Sequence, residues 1–213
     1  MRTCLTPLLA LSLDTSTDLT TACISRDREV LAESVTRGRS SGAQHVLADV
    51  DHLLRAARVG TAELGLIVAG TGPGTFTGLR IGLSTATALG FALGIEVRGV
   101  GTLEALLHGD GAEVACVDAR RGEVFALGPA VPLAAYLPEQ LAALLPPGAV
   151  VVGDGAIRYR DRLGGAAIPV DSSPLHVPWA RHHAALAGTA GPPIPQYVRA
   201  PDADRVLTAR AAG

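Results

Sequence analysis

Residues 70–80 read Gly-Thr-Gly-Pro-Gly-Thr-Phe-Thr-Gly-Leu-Arg. Ahead of them, residues 64–69 form an apolar run of strand length. Behind them, an apolar segment free of proline runs from Thr77 or Gly78 to about Phe91. A strand, a glycine-rich turn and a helix start gather backbone N–H groups and the positive end of the helix dipole at one point, which suits an anion. The spacing departs from the two common phosphate loops. A Walker A loop ends in Gly-Lys, four residues after its first glycine. Here Gly74 and Gly78 enclose three residues, and Leu79 stands where the lysine would be. In the dinucleotide fingerprint the third glycine comes one residue earlier than Gly78 does after Gly72 and Gly74. On spacing alone, a tight structural turn is the ordinary explanation.

Asp14 is the second candidate. It ends the apolar run 8–13 and opens the cluster Asp14-Thr15-Ser16-Thr17. These hydroxyls and amides, with Gly72 and Gly74, could frame a vestigial phosphate site built on Asp14, Thr15 and Ser16. An Asx-type turn closing a hairpin is the plainer account. His45 and His52 are seven residues apart, whereas a helical metal pair needs i, i+4. Asp49 holds that place and no third ligand is evident, so no metal and no catalytic residue are expected. The serines form no G-x-S-x-G elbow. All 18 basic residues are arginine, which excludes lysine chemistry.

These residues need elements to hold them. Residues 8–13, 19–25 and 29–35 alternate with tight turns and predict an antiparallel meander. Ser40 and Ser41 are candidate caps for a helix whose Val46, Leu47, Val50, Leu53, Leu54 and Ala57 share one face. The strand at 64–69, the glycine loop, a long helix, a strand at 96–100 and a short helix at 102–107 follow. The order β-β-β-α-β-α-β-α is that of a ribonuclease-H-like half of an actin-like fold. A second start comes at residues 113–118, where a strand again ends in an aspartate, Asp118, before a turn and a strand at 123–127. Beyond it, helices are expected at 138–145, 157–163 and 178–187, and strands at 150–153 and 167–170. The predicted fold is therefore α/β and actin-like, with two ribonuclease-H-like subdomains, residues 1–108 and a shortened 109–213.

The long helix carries a further pattern. Gly78, Gly82, Ala86, Gly90 and Gly94 recur every fourth residue, so one side of the helix is nearly bare. Each helical glycine costs roughly 1 kcal/mol against alanine. The use of such a stripe is close approach of another backbone, from the chain's own sheet or from a second chain. Leu79, Leu83 and Phe91 lie on a neighbouring stripe and can pack on either side of it.

The chain has 213 residues, 48% of them hydrophobic and 18% charged, with a net charge of −2. It is long enough for a full core, and the charge argues against a broad nucleic-acid-binding face. No apolar run approaches the roughly 20 residues of a membrane helix, and the apolar start is read as a first strand of a cytoplasmic protein. Cys4, Cys23 and Cys116 are dispersed and form no CxxC, so free thiols are expected.

Residues 9–17, the His45 helix, Gly72-Pro73-Gly74-Thr75-Phe76-Thr77-Gly78-Leu79-Arg80-Ile81-Gly82, Gly101-Thr102-Leu103-Glu104-Ala105, Asp118-Ala119-Arg120-Arg121-Gly122-Glu123-Val124-Phe125 and Pro195-Gln196-Tyr197-Val198-Arg199 together resemble the bacterial TsaB (YeaZ) family. The resemblance covers nearly the whole chain. The Asp-Ala-Arg-x-Gly-Glu-Val segment favours TsaB over its paralogue TsaD, whose His-x-x-x-His metal pair is broken here by Asp49. The resemblance implies a non-catalytic subunit, without cofactor, in the synthesis of N6-threonylcarbamoyladenosine in tRNA. It implies pairing with TsaD, joined by TsaE, a homodimer when alone, and contact with tRNA only through the complex. The two helices, 43–57 and 77–93, would then form the dimer face, with His45, Val46, Val50, Leu54, Gly78, Leu79, Gly82, Leu83, Ala86 and Gly90 in the interface. A stand-alone actin-like ATPase or kinase, and a metallopeptidase-like protein, are the alternative readings.

Overall fold

The computed structural model describes residues 8–27, 29–38 and 43–199. Cys4, Ser40 and Ser41 lie outside them. Three β-prone runs separated by tight turns form β1 (Leu9–Asp14), β2 (Leu19–Arg26) and β3 (Glu29–Arg37). They pair antiparallel in sequence order. After α1 (Ala43–Ala57), β4 (Leu66–Gly70) joins the free side of β1 in parallel, and after α2 (Phe76–Leu93), β5 (Glu96–Val100) joins β4. The order of this five-stranded sheet is β3-β2-β1-β4-β5.

The short helix α3 (Thr102–Leu107) leads to a second sheet built to the same plan. In it β6 (Val114–Arg120), β7 (Glu123–Gly128) and β8 (Val131–Tyr136) form the meander. After α4 (Pro138–Leu144), β9 (Val151–Val152) lies parallel to β6. The order β8-β7-β6-β9 repeats the first sheet one strand short. The strand expected at 167–170 is reduced to a parallel bridge between Val150 and Ala167. The helix expected at 157–163 is instead α5 (Asp154–Arg158) followed by a single 3-10 turn. The strand β8, absent from the sequence expectation, contains Pro132 and sits at the sheet edge, where a missing N–H costs nothing. Two linked ribonuclease-H-like sheets of this kind make the fold actin-like, the second half shortened.

Each sheet face is covered. Leu11, Leu13, Ile24 and Ile67 meet Val46, Val50, Leu53 and Leu54 of α1 and Leu79, Leu83 and Ala86 of α2. On the second sheet, Cys116, Val124 and Val151 meet Leu141 of α4 and Ala156 of α5. Leu103 and Leu106 of α3 pack on the other face of that sheet, against Ala115, Val117 and Val152. The chain then returns: α6 (Ala180–Ala185) and Leu186, Ala187 and Ala190 lie on the remaining face of the first sheet. Residues 180–190 thus follow the second sheet in sequence but complete the core of the first, because Ala10, Leu66, Val68 and Val100 would otherwise face water.

Contrary to the reading of the sequence, the 18-residue α2 is long and apolar enough to cross a membrane by length and composition alone. Its small-residue side is instead packed against β1, β4 and β5.

Candidate functional site: a closed strand end and an exposed helical face

The glycine stripe packs on the chain's own first sheet and the turn after β1. A Cβ at Gly78 would sit 2.1 Å from the carbonyl oxygen of Thr15, and one at Gly82 would sit 2.4 Å from Thr15 Oγ1. At Gly90 a Cβ would meet Val97 Cγ2 at 2.2 Å. The Thr15 hydroxyl donates to the carbonyl of Gly78 at 2.6 Å, locking the first turn of α2 onto the β1–β2 turn. Ala86 is fully buried. This corrects the expected interface. Val46, Val50, Leu54, Leu79, Leu83 and Ala86 are core residues, Leu83 also reaching the open side of α2, and Gly78, Gly82 and Gly90 admit the chain's own β1–β2 turn and β5. Of the ten, His45 alone is exposed. The bare side of a helix carries no label for what fills it, and here the sheet fills it.

The opposite side of α2 is open. Phe76, Arg80, Ser84, Thr87, Ala88 and Phe91 line a broad groove with Pro193 and Pro195. A second hollow between α1 and α2 is lined by Leu47, Ser84, Thr85, Ala88 and Leu89. Phe91 is 90% exposed, Phe76 50% and Leu47 46%. Phe76 and Phe91 line the first hollow and Leu47 the second, with Ser84 and Ala88 common to both; exposed apolar side chains gathered on one face are a feature of interaction sites.

Asp14, Thr15, Ser16 and Gly74 meet at the turn after β1, and Gly72 joins them through Thr102, whose N–H donates to the Gly72 carbonyl at 2.7 Å. A Cβ at Gly74 would lie 2.1 Å from the carbonyl oxygen of Ser16, and the Thr75 N–H already donates to that oxygen at 2.6 Å. Asp14 is 1% exposed. Its Oδ1 accepts from Ser16 N at 2.7 Å and Ser16 Oγ at 2.6 Å, and its Oδ2 accepts from Thr102 Oγ1 at 2.7 Å. His183 Nε2 stands 3.1 Å from Oδ2, within ion-pair range though outside hydrogen-bond alignment. A Cβ at Gly70 would collide with this carboxyl at 2.3 Å, so glycine at the end of β4 is what leaves room for it. His183 and Thr102, 169 and 88 residues away in sequence, carried no local signal of this role.

Burial pushes the Asp14 carboxyl up, but the His183 imidazole and the Ser16 and Thr102 hydroxyls outweigh it and hold the group below its ordinary 3.8. A depressed carboxylate stabilises the fold above its unfolded value, and that stability is lost as pH falls through the folded one. Urea unfolding of wild type should therefore weaken progressively from about pH 5 downward, and Asp14→Asn should flatten this acid limb. Parallel acid limbs in the two proteins would contradict the assignment.

The second strand-end aspartate has a matching arrangement. Asp118 Oδ1 accepts the N–H of Arg120, two residues on, at 2.9 Å, as Asp14 does from Ser16. Arg120 Nη1 donates to Asp118 Oδ2 at 3.0 Å, and its Nη2 donates to Asp18 Oδ1 at 2.8 Å, tying the second sheet to the β1–β2 turn. Beside Asp118, and next to the glycine loop, opens a cavity of about 490 Å3, lined among others by Gly74, Phe76, Phe125, Tyr197, Arg120 and Arg199. Arg199 pairs with Glu123 and donates to the carbonyl of Ala119 at 3.3 Å. Among the described residues no group of three or more metal-ligating side chains converges. The thiols of Cys23 and Cys116 are buried and free; burial, aided by Glu33, pushes Cys23 up to about 12, which leaves it no nucleophilic character at neutral pH.

The family model described as TsaD, tRNA N6-adenosine threonylcarbamoyltransferase, matches residues 40–133. An uncharacterized protein of Mycobacterium tuberculosis is 35% identical over 91% of this chain and 92% of its own. The Bacillus subtilis tRNA threonylcarbamoyladenosine biosynthesis protein TsaB is 34% identical over 54% of this chain and 52% of its own. Among solved structures, YeaZ from Pseudomonas aeruginosa superposes with a TM-score of 0.72 at 27% identity, over 89% of this chain and 99% of that one. The chain belongs to the TsaB/YeaZ family. Against the TsaB relatives in this family the matched region is about half of each protein's length. Four of the six TsaB/YeaZ segments quoted above fall at structural joints: the β1 turn, the α2 entry, the start of α3 and the β6–β7 turn.

Proposed function

We propose that this chain is a non-catalytic subunit in the synthesis of N6-threonylcarbamoyladenosine, at the tRNA adenosine following the anticodon. In this reading it pairs with the catalytic TsaD, TsaE joins the pair, and the chain forms a homodimer when alone. It works in the cytoplasm and meets tRNA only through the complex. The observation that carries the reading is the division of labour on α2. One side is fixed to the chain's own sheet, while the other presents Phe76, Ala88 and Phe91, with Leu47 of α1, to a partner. Two helices offered by each chain would give the apolar centre of an interface. The non-catalytic part of the reading is supported by Asp14, whose carboxylate oxygens are committed to Ser16, Thr102 and His183 inside the core. Family membership supports the choice of pathway, since relatives carry that name.

The test is reconstitution with TsaD and TsaE of the same organism, tRNA and a threonylcarbamoyl donor. Modified adenosine should form with this chain present and fall to background without it. Equal product in its absence would remove the proposed role, and product formed by this chain alone would make it an enzyme.

A further inference from the structure

The groove on the open side of α2 carries a single charge. Among the described residues that line it, only Arg80 is ionisable, and the neighbouring hollow between α1 and α2 has no charged lining at all. The acids of α1 are engaged elsewhere. Asp51 pairs with Arg55 at 2.6 Å, and Asp49 accepts from the Thr36 hydroxyl at 3.4 Å. Arg80 is exposed but held in place. Its guanidinium carbon lies 3.8 Å from the centroid of the Phe76 ring, and its Nε–H donates to the Tyr197 hydroxyl at 3.3 Å. The Tyr197 ring stands 5.8 Å from that of Phe76. Tyr197 is itself tethered, because the N–H of Gln196 donates to the carbonyl of Thr71 at 2.8 Å and Gly191 bridges to Gly99 of β5. Stacking on a ring and a bond through Nε leave the two terminal nitrogens pointing away in a fixed fork, the shape that matches a carboxylate. Among the described residues those nitrogens have no acceptor.

We propose that Arg80 selects the partner: the groove takes an apolar surface of a different protein that places an Asp or Glu carboxylate on this guanidinium. The proposal rests on the reading that the chain pairs with TsaD through this face, and the argument for it is one of sign. Whatever fills the groove strips water from Arg80, and a cation buried without an anion is strongly destabilising. A second copy of the chain meets the groove with the same residues, since a two-fold contact uses one patch twice. That patch offers no carboxylate and brings a second Arg80. A partner with an acid at this point gains a charge-assisted, two-pronged pair instead. The same residue thus favours the heteromeric contact and disfavours the homodimer, while Phe76 and Phe91 supply apolar area to both.

Sedimentation of Arg80→Gln and of Phe91→Asp, each with TsaD and each alone, tests this. Arg80→Gln should weaken pairing with TsaD by roughly thirty-fold or more, the effect of stranding one member of a desolvated charge pair. Self-association should be unchanged or tighter, because a like charge has gone. Equal weakening of both contacts would overturn the proposal. So would unaltered TsaD affinity in Arg80→Gln where Phe91→Asp abolishes pairing, which would keep the groove and remove the acid. A loss confined to tRNA binding by the complex, with TsaD pairing intact, would put a phosphate at Arg80 and overturn it too. If Phe91→Asp also leaves TsaD bound, the pairing reading itself fails and takes this proposal with it.

Discussion

Gly78→Val should leave little folded protein. The glycine lies where the first turn of α2 meets the turn after β1, and a Cβ would stand 2.1 Å from a backbone carbonyl oxygen and 2.6 Å from Thr75 Oγ1. The side chain at Thr75 can rotate away. The carbonyl of Thr15 cannot, because the adjoining backbone is held by the Ser16–Asp14 hydrogen bonds and by Thr75 N. Overpacking of this kind costs roughly 1–3 kcal/mol, and more where backbone must move, and a typical domain has only about 5–15 kcal/mol to lose. The expected result is a loss at or above the top of that range, read by thermal melting. Ala86→Leu, fully buried on the same side two turns on, should behave alike. If both variants were folded and merely failed to associate, the stripe would be an intermolecular seam after all.

Phe91→Asp should do the opposite. At 90% exposure it contributes little to the monomer, so the melting temperature should move by no more than a few degrees. Association should suffer heavily. A desolvated aromatic at the centre of an interface typically accounts for 2 kcal/mol or more, roughly a thirty-fold loss of affinity, and a carboxylate placed there adds the cost of burying a charge. The loss should appear both in pairing with TsaD and in self-association, measured by sedimentation. An unaltered affinity in both would move the partner face away from α2.

Most of the fold could be read from the sequence because its elements are locally determined. The strand Glu96–Val100 and the helix Thr102–Leu107 have the bounds their patterns predict, and the repeated strand–aspartate–hairpin start falls in two separate sheets. What failed was long-range. The i, i+4 stripe from Gly78 to Gly90 specifies that something approaches closely, but the identity of that neighbour is fixed by sheet packing. Val46, Val50 and Leu54 have the spacing of a buried face, which burial in the chain's own core satisfies as well as an interface would. The closed state of Asp14 depends on His183, which lies on a helix that returns to the first sheet only after the second is complete. No motif around residue 183 could disclose that partner. The exposed face was hidden for a related reason: the spacing sets Phe91 beside the stripe with Leu79 and Leu83, and only the packing of α2 shows that those two are buried while Phe91 is left out.

The central claim is that this chain serves through a partner that it meets with the outer face of α1 and α2. The most direct measurement is light scattering on a size-exclusion column with the purified chain and the TsaD of the same organism, each at about 10 μM, well above the micromolar to nanomolar range of specific complexes. The account predicts a complex containing both chains with wild type, and two separate species with Phe91→Asp of unchanged melting temperature. Wild-type chain and TsaD eluting apart, each at the mass it has alone, would contradict it.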